Sequence, residues 1–201
     1  MPCSIKAPKP TIIEYTVSGN TLEAIWADIE RRGPRDANDN SRVASVTASE
    51  LVIDSAWEPR VRSIETITRG DQQSTIVIIS VEDMSMTVTG EIMMPKLGKA
   101  ALSKTAKKEW DRFIGEVEKH ELGHVNAAKE VAQAIYADAQ AMRISGEAPT
   151  FDEAMKKAKA DLEKAFAKIG GPTVIDKRIA DADARYDGRT GHGPTLKVTI
   201  Q

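Results

Sequence analysis

A single apolar stripe in the second half of the chain sets the frame for the rest. Trp110, Phe113, Ile114, Val117, Val131 and Ile135 recur at three- and four-residue steps, the spacing of one buried face on an α-helix. It predicts one long helix from about Ser103 into the low 140s. Two histidines, His120 and His124, fall on that stripe between Val117 and Ala128, where apolar residues would otherwise stand. Buried polar groups need partners, so this helix carries more than core.

The first half has a different rhythm. Thr11–Val17 alternates as a short strand should. Asn20, with Glu23 as its reciprocal cap, is expected to open a helix bearing Leu22, Ile25, Trp26 and Ile29 on one face, and Gly33-Pro34 stops it. Arg35 to Ser41 reads as a loop. From Arg42 to about Met94, β-formers dominate in three or four runs: Val43 to Trp57, Arg60 to Thr68, Ser74 to Glu82 and Met84 to Met94. Gly70-Asp71 marks a turn between two of them, and Pro95 and Gly98 close the region. Thr150 with Glu153 forms a capping box for a second helix carrying Met155, Leu162, Phe166 and Ile169, ending at Gly170-Gly171-Pro172. A third helix is expected from Thr173 to about Arg185. The tail, 186–201, reads as loop plus a short strand from Leu196 to Ile200.

The expected fold is therefore α+β: a small, mainly antiparallel sheet packed on the long helix, with additional C-terminal helices. At 201 residues and 41% hydrophobic, the chain suits a single domain. Residues 11–98 are mostly β with one helix, and 103–185 mostly helical. Aromatic residues make up only 4%, which marks Trp26, Trp57 and Trp110 as core anchors.

Composition excludes several functions. Lys and Arg number 28 against 30 Asp and Glu, which argues against a broad basic surface for nucleic acid. No apolar run approaches the ~18 residues of a membrane span. The start, Met1 to Pro10, lacks the apolar stretch of a signal peptide. One cysteine, Cys3, allows neither an internal disulfide nor a thiolate cage for zinc.

The chemistry lies in His120-Glu121-Leu122-Gly123-His124, an H-E-x-x-H motif. Residues four apart on a helix lie ~40° apart around its axis, so both imidazoles can reach one metal ion. Glu121 stands beside the first ligand, where its carboxylate can take a proton from a water on the metal. Gly123 and Ala127 keep the neighbourhood small, which suits close approach of another segment.

A catalytic zinc usually takes a third protein ligand. Glu130 falls on a helix that continues through Val131-Ala132-Gln133-Ala134, so it points away from His124. Asp152 and Glu153 are candidates, although capping a helix accounts for both. Asp187 is another. His192, the remaining histidine, is favoured because Gly191 and Gly193 let the backbone approach a metal closely. Tyr186 is a candidate hydrogen-bond donor to an oxyanion, against the simpler reading of a core tyrosine.

These residues resemble a bacterial domain family of uncharacterised proteins taken to be secreted zinc-dependent proteases, with a zincin-like H-E-x-x-H helix. Glu14-Tyr15-Thr16-Val17-Ser18-Gly19-Asn20-Thr21-Leu22 followed by Arg32-Gly33-Pro34 is similar to that family's opening strand, turn and helix. Ile92-Met93-Met94-Pro95 resembles the strand end before its active-site helix, and Trp110-Asp111-Arg112-Phe113 followed by His120-Glu121-Leu122-Gly123-His124 resembles the helix itself. Tyr186-Asp187-x-x-Thr190-x-His192-Gly193 is similar to its C-terminal signature. The resemblance implies that His192 completes the metal site and that Tyr186 or Asp187 belongs to it. It also implies a secreted or periplasmic protein, while the missing signal stretch leaves the cytoplasm as the alternative.

The expectation is thus a zinc metallopeptidase. His120, His124 and His192 hold Zn2+, Glu121 is the general base, Tyr186 assists, and a peptide or protein is the substrate. Two alternatives stand beside it: a non-catalytic metal-binding or interaction domain on a zincin-like scaffold, and a metal-dependent amidase acting on cell-wall substrates.

Overall fold

A computed structural model describes residues 4–36, 40–54 and 59–199. Its elements, in chain order, are β1 (Ser4–Lys6), β2 (Thr11–Val17), α1 (Leu22–Arg32), β3 (Val46–Ile53), β4 (Pro59–Arg69) and β5 (Gln72–Val81). There follow β6 (Ser85–Leu97), α2 (Lys104–Ala141), β7 (Ile144–Ala148), α3 (Phe151–Gly170) and α4 (Pro172–Thr190). The fold is mixed α and β, as the hydrophobic periodicity requires. Cys3 and Trp57 lie outside the described residues.

The chain divides into two compact units. The first comprises Met1–Ala7, Leu51–Val88 and Lys129–Ala180, and the second Pro8–Glu50, Thr89–Ala128 and Asp181–Gln201. The elements β3, β6, α2 and α4 contribute residues to both.

In the first unit, β4, β5 and β7 form an antiparallel sheet in the order β4-β5-β7. Gly70 makes the turn between β4 and β5 at φ +64°, a conformation that costs glycine little. The residues Val77, Ile79 and Val81 of β5 are fully buried. The strand β7 was not expected, because Ile144-Ser145-Gly146-Glu147-Ala148 contains one β-branched residue and a glycine. Gly146 explains its place: a Cβ there would overlap the Ala154 carbonyl of α3. With Ala154 and Ala158 also fully buried, small residues let the helix backbone lie against the strand.

The second unit contains the candidate site. Here β2 pairs in parallel with β6, from Thr11↔Glu91 to Val17↔Leu97. The strand β6 also pairs with β3, and its first-unit end, Ser85–Thr87, pairs in parallel with β1. The expectation of one small, mainly antiparallel sheet is therefore corrected to two sheets, one built around parallel pairings and one antiparallel. The strand β6 continues past Pro95 to Leu97.

The helix α1 begins one residue later than Asn20 would place it. Thr21 is the N-cap, its hydroxyl accepting from the Ala24 N–H at 3.2 Å. Gly33 ends the helix, its N–H donating to the Ile29 carbonyl at 2.7 Å.

The core of this unit joins Val17, Ile25, Ile29, Ile92 and Met94 to Trp110, Phe113, Val117 and Val125 of α2. Phe113 is fully buried and touches Trp110 and Trp26, with ring centroids at 5.8 and 6.1 Å. Truncating such a ring costs about 3–5 kcal/mol. The first half of the apolar stripe therefore anchors α2 firmly around the histidine positions.

Residues 196–199 form no strand, but Leu196 is buried in the same core. Glu109 holds this tail: its Oε1 accepts from the Lys197 N–H at 3.0 Å and from Arg112 at 2.5 Å. Arg112 also donates to the Thr195 carbonyl at 3.2 Å. No helix among the described residues is long and apolar enough to cross a membrane.

Candidate metal centre

The helix α4 runs five residues beyond its expected end at Arg185, to Thr190. Tyr186 and Asp187 therefore stand on its last turns rather than in a loop. Asp183 and Asp187 lie one turn apart on α4, as His120 and His124 do on α2, and the two pairs meet.

Three atoms converge. His120 Nε2 and His124 Nε2 are 3.3 Å apart, and each lies 3.3 Å from Asp187 Oδ1. The side chains are 11%, 12% and 12% exposed, so water has little access to compensate them. Asp187 Oδ1 is buried without a hydrogen-bond partner. A buried acceptor in that state costs about 1–3 kcal/mol, which a cation would recover.

The spacing matches such an ion. Tetrahedral bonds of about 2.0–2.1 Å place neighbouring ligand atoms about 3.3–3.4 Å apart. Among the described residues, His120, His124 and Asp187 are the group able to hold a metal ion.

The carboxylate that reaches the two imidazoles is that of Asp187, whereas the expected His192 side chain stays apart. His192 is 77% exposed, and its Nδ1 lies 3.9 Å from Asp187 Oδ2, on the outer side of that carboxylate. The flanking glycines do bring the backbone close, as their freedom suggests. Gly191 and Gly193 take φ of +79° and +90°, and a Cβ on Gly193 would sit 3.5 Å from the His120 ring. It is the backbone, not the imidazole, that arrives. Asp152 and Glu153 stand in the first turn of α3 in the first unit, Glu153 accepting from the hydroxyl of the N-cap Thr150 at 2.8 Å. Glu130 is exposed, consistent with its pointing away.

Three further residues were not foreseen. Glu121 is buried at 4% exposure, its carboxylate accepting from the Ser45 hydroxyl and, at 2.6 Å, from Thr47 Oγ1. Asp183 Oδ1 lies 2.9 Å from His124 Nδ1. Ser45, just before β3, and Thr47, its second residue, carry no local signal of this role. Asp183 did have one, its four-residue spacing from Asp187, which the shortened helix concealed.

Tyr186 packs against both imidazoles, with ring centroids 5.2 Å from His120 and 4.9 Å from His124. A Cβ at position 123 would overlap its phenol. The glycine within H-E-x-x-H thus admits α4, the close approach expected of that position.

The electrostatics differ between the two imidazoles. Burial lowers the pKa of His120, outweighing the negative charges of Glu121 and Asp187. Burial also opposes the charged form of His124, but the Asp183 hydrogen bond and the charges of Asp187, Asp183 and Glu121 prevail and raise its pKa.

An α+β scaffold with two histidines and a carboxylate converging from two helices defines a candidate metalloprotein. The chain belongs to DUF922, a family of bacterial proteins of unknown function, which it matches over residues 12–193. That span takes in α2, α4 and the glycines at 191 and 193. No curated protein and no solved structure matches the chain.

Proposed function

We propose that this protein is a zinc-dependent peptidase with His120, His124 and Asp187 as ligands and Glu121 as general base. The observation that carries the reading is the three-way convergence at 3.3 Å around a buried, unpartnered Asp187 Oδ1. Imidazole nitrogens with one carboxylate oxygen suit zinc, and three protein ligands leave a position open.

When bound, zinc supplies Lewis acidity, bringing the pKa of a water towards about 7 and polarising a carbonyl. The chain does the rest. Glu121 follows His120 on the same helix, and its carboxylate is pinned by Ser45 and Thr47. It accepts the proton of the attacking water and returns it to the leaving amine. Two hydroxyls holding one carboxylate limit its rotation, which favours a single reactive geometry. Tyr186, packed on both ligand rings, offers a phenolic O–H to the oxyanion that forms at the carbonyl.

The test pairs zinc content with cleavage of unstructured polypeptides. The parent should bind about one zinc per chain and cleave, whereas Glu121→Gln should keep zinc and fold but lose turnover. Undiminished turnover in Glu121→Gln would remove the base from its role. A parent that binds zinc but cleaves only cell-wall amides would replace peptidase with amidase.

A further inference from the structure

We infer that Asp183 is the positioning residue that fixes the His124 imidazole for metal binding, a role that rests on the metal centre proposed above. Asp183 Oδ1 stands 2.9 Å from His124 Nδ1, the ring nitrogen that faces away from the convergence point. An ionised carboxylate only accepts hydrogen bonds, so the proton between them resides on Nδ1. A neutral imidazole has one N–H, which leaves Nε2 with a free lone pair. That Nε2 is the atom 3.3 Å from both Asp187 Oδ1 and His120 Nε2. Asp183 therefore selects the tautomer in which His124 can ligate, and also holds the ring plane.

The geometry separates its task from that of Asp187. Both carboxylates come from α4, one turn apart. Asp187 addresses the Nε2 atoms, and Asp183 addresses Nδ1. Asp183 is 30% exposed where Asp187 is 12% exposed, so the outer carboxylate is the more open to water of the two. Helix α4 thus presents one carboxylate for the ion and another for the ligand behind it. Carboxylate partners of this kind typically change metal affinity 10–100-fold when removed.

The experiment measures zinc dissociation constants by competition with a chromophoric chelator for the parent, Asp183→Ala, Asp183→Asn and Asp187→Ala. Nitrogen-15 NMR of the histidine rings reports the tautomer in the zinc-free proteins. Asp183→Ala should weaken zinc binding 10–100-fold and move His124 from an Nδ1-protonated form to a mixture of tautomers. Asp183→Asn keeps an acceptor without the charge, so it should recover part of the affinity and most of the tautomer preference. Zinc binding by Asp183→Ala within about twofold of the parent, with unchanged His124 nitrogen shifts, would overturn the inference and leave the metal centre standing. A parent that binds no zinc would overturn the metal centre itself, and this role with it.

Discussion

The phenol of Tyr186 rests on the backbone of Gly123, in the space that a Cβ at that position would fill. Two helices can therefore bring their side chains together only because the motif's third intervening position is empty. Gly123→Ala should push the ring away, at a cost of about 1–3 kcal/mol for overpacking, and weaken zinc binding. Adding Tyr186→Ala to that variant should cost less than Tyr186→Ala does in the parent. Denaturant melts of the four proteins check this, and strictly additive losses would refute the contact.

Asp187 and His192 make opposite predictions. Zinc at a thousandfold excess over its Kd should stabilise the parent by about 4 kcal/mol. Asp187→Ala should abolish that gain, whereas His192→Ala should keep most of it. Without metal, Asp187→Asn should be no less stable than the parent, because it removes the charge from an acceptor that has no partner. Thermal melts with zinc and with a chelator supply all of these comparisons.

Thr47 and Ser45 should matter to turnover more than to metal. Thr47→Val preserves shape but takes one of two hydroxyl donors from the buried Glu121 carboxylate. The expected loss is about 1–2 kcal/mol of stability and roughly 10–100-fold in turnover through a misplaced base, with zinc content unchanged. Metal analysis beside steady-state kinetics would expose a loss of zinc instead.

Acid should loosen the tail through Glu109. Its hydrogen bonds with Arg112 lower the carboxyl to about 2, helped by the Lys197 N–H and opposed by burial, against an ordinary 4.5. The native state thus favours the ionised form. Its contribution is complete above about pH 4.5 and is lost as pH falls towards 2. Glu109→Gln should lower stability at neutral pH by about 2 kcal/mol and flatten the dependence between those limits. Urea midpoints at pH 6 and pH 3 measure both effects.

What could be read from the residues alone was what local spacing encodes. The stripe from Trp110 to Ile135 places α2 and the pair His120 and His124, because helical phase acts over a few residues. The β2 strand and the Thr150 cap are legible for the same reason. Asp187 was outweighed by His192 because the Gly188 and Gly191 region reads as a tail, so Asp183 and Asp187 were not seen as one helical face. Tyr186 in that last stretch packs against α2, and packing is not written in propensity. The hydroxyls of Ser45 and Thr47 reach Glu121 from a distant part of the chain, and nothing nearby in sequence announces such a contact. The strand β7 is specified by partners, not by β-formers.

Between His124 and Asp187 the chain makes a long excursion: Lys129–Ala180 belongs to the first unit. An ion shared by these residues would close a loop around that whole stretch. The entropic cost of closure grows only logarithmically with length, but it must be met before so non-local a contact returns anything. Metal capture would then act as a completion signal. A chain still emerging, with α2 made and α4 not yet made, owns two histidines and no third ligand. The finished fold alone brings the two imidazoles and the carboxylate to one point.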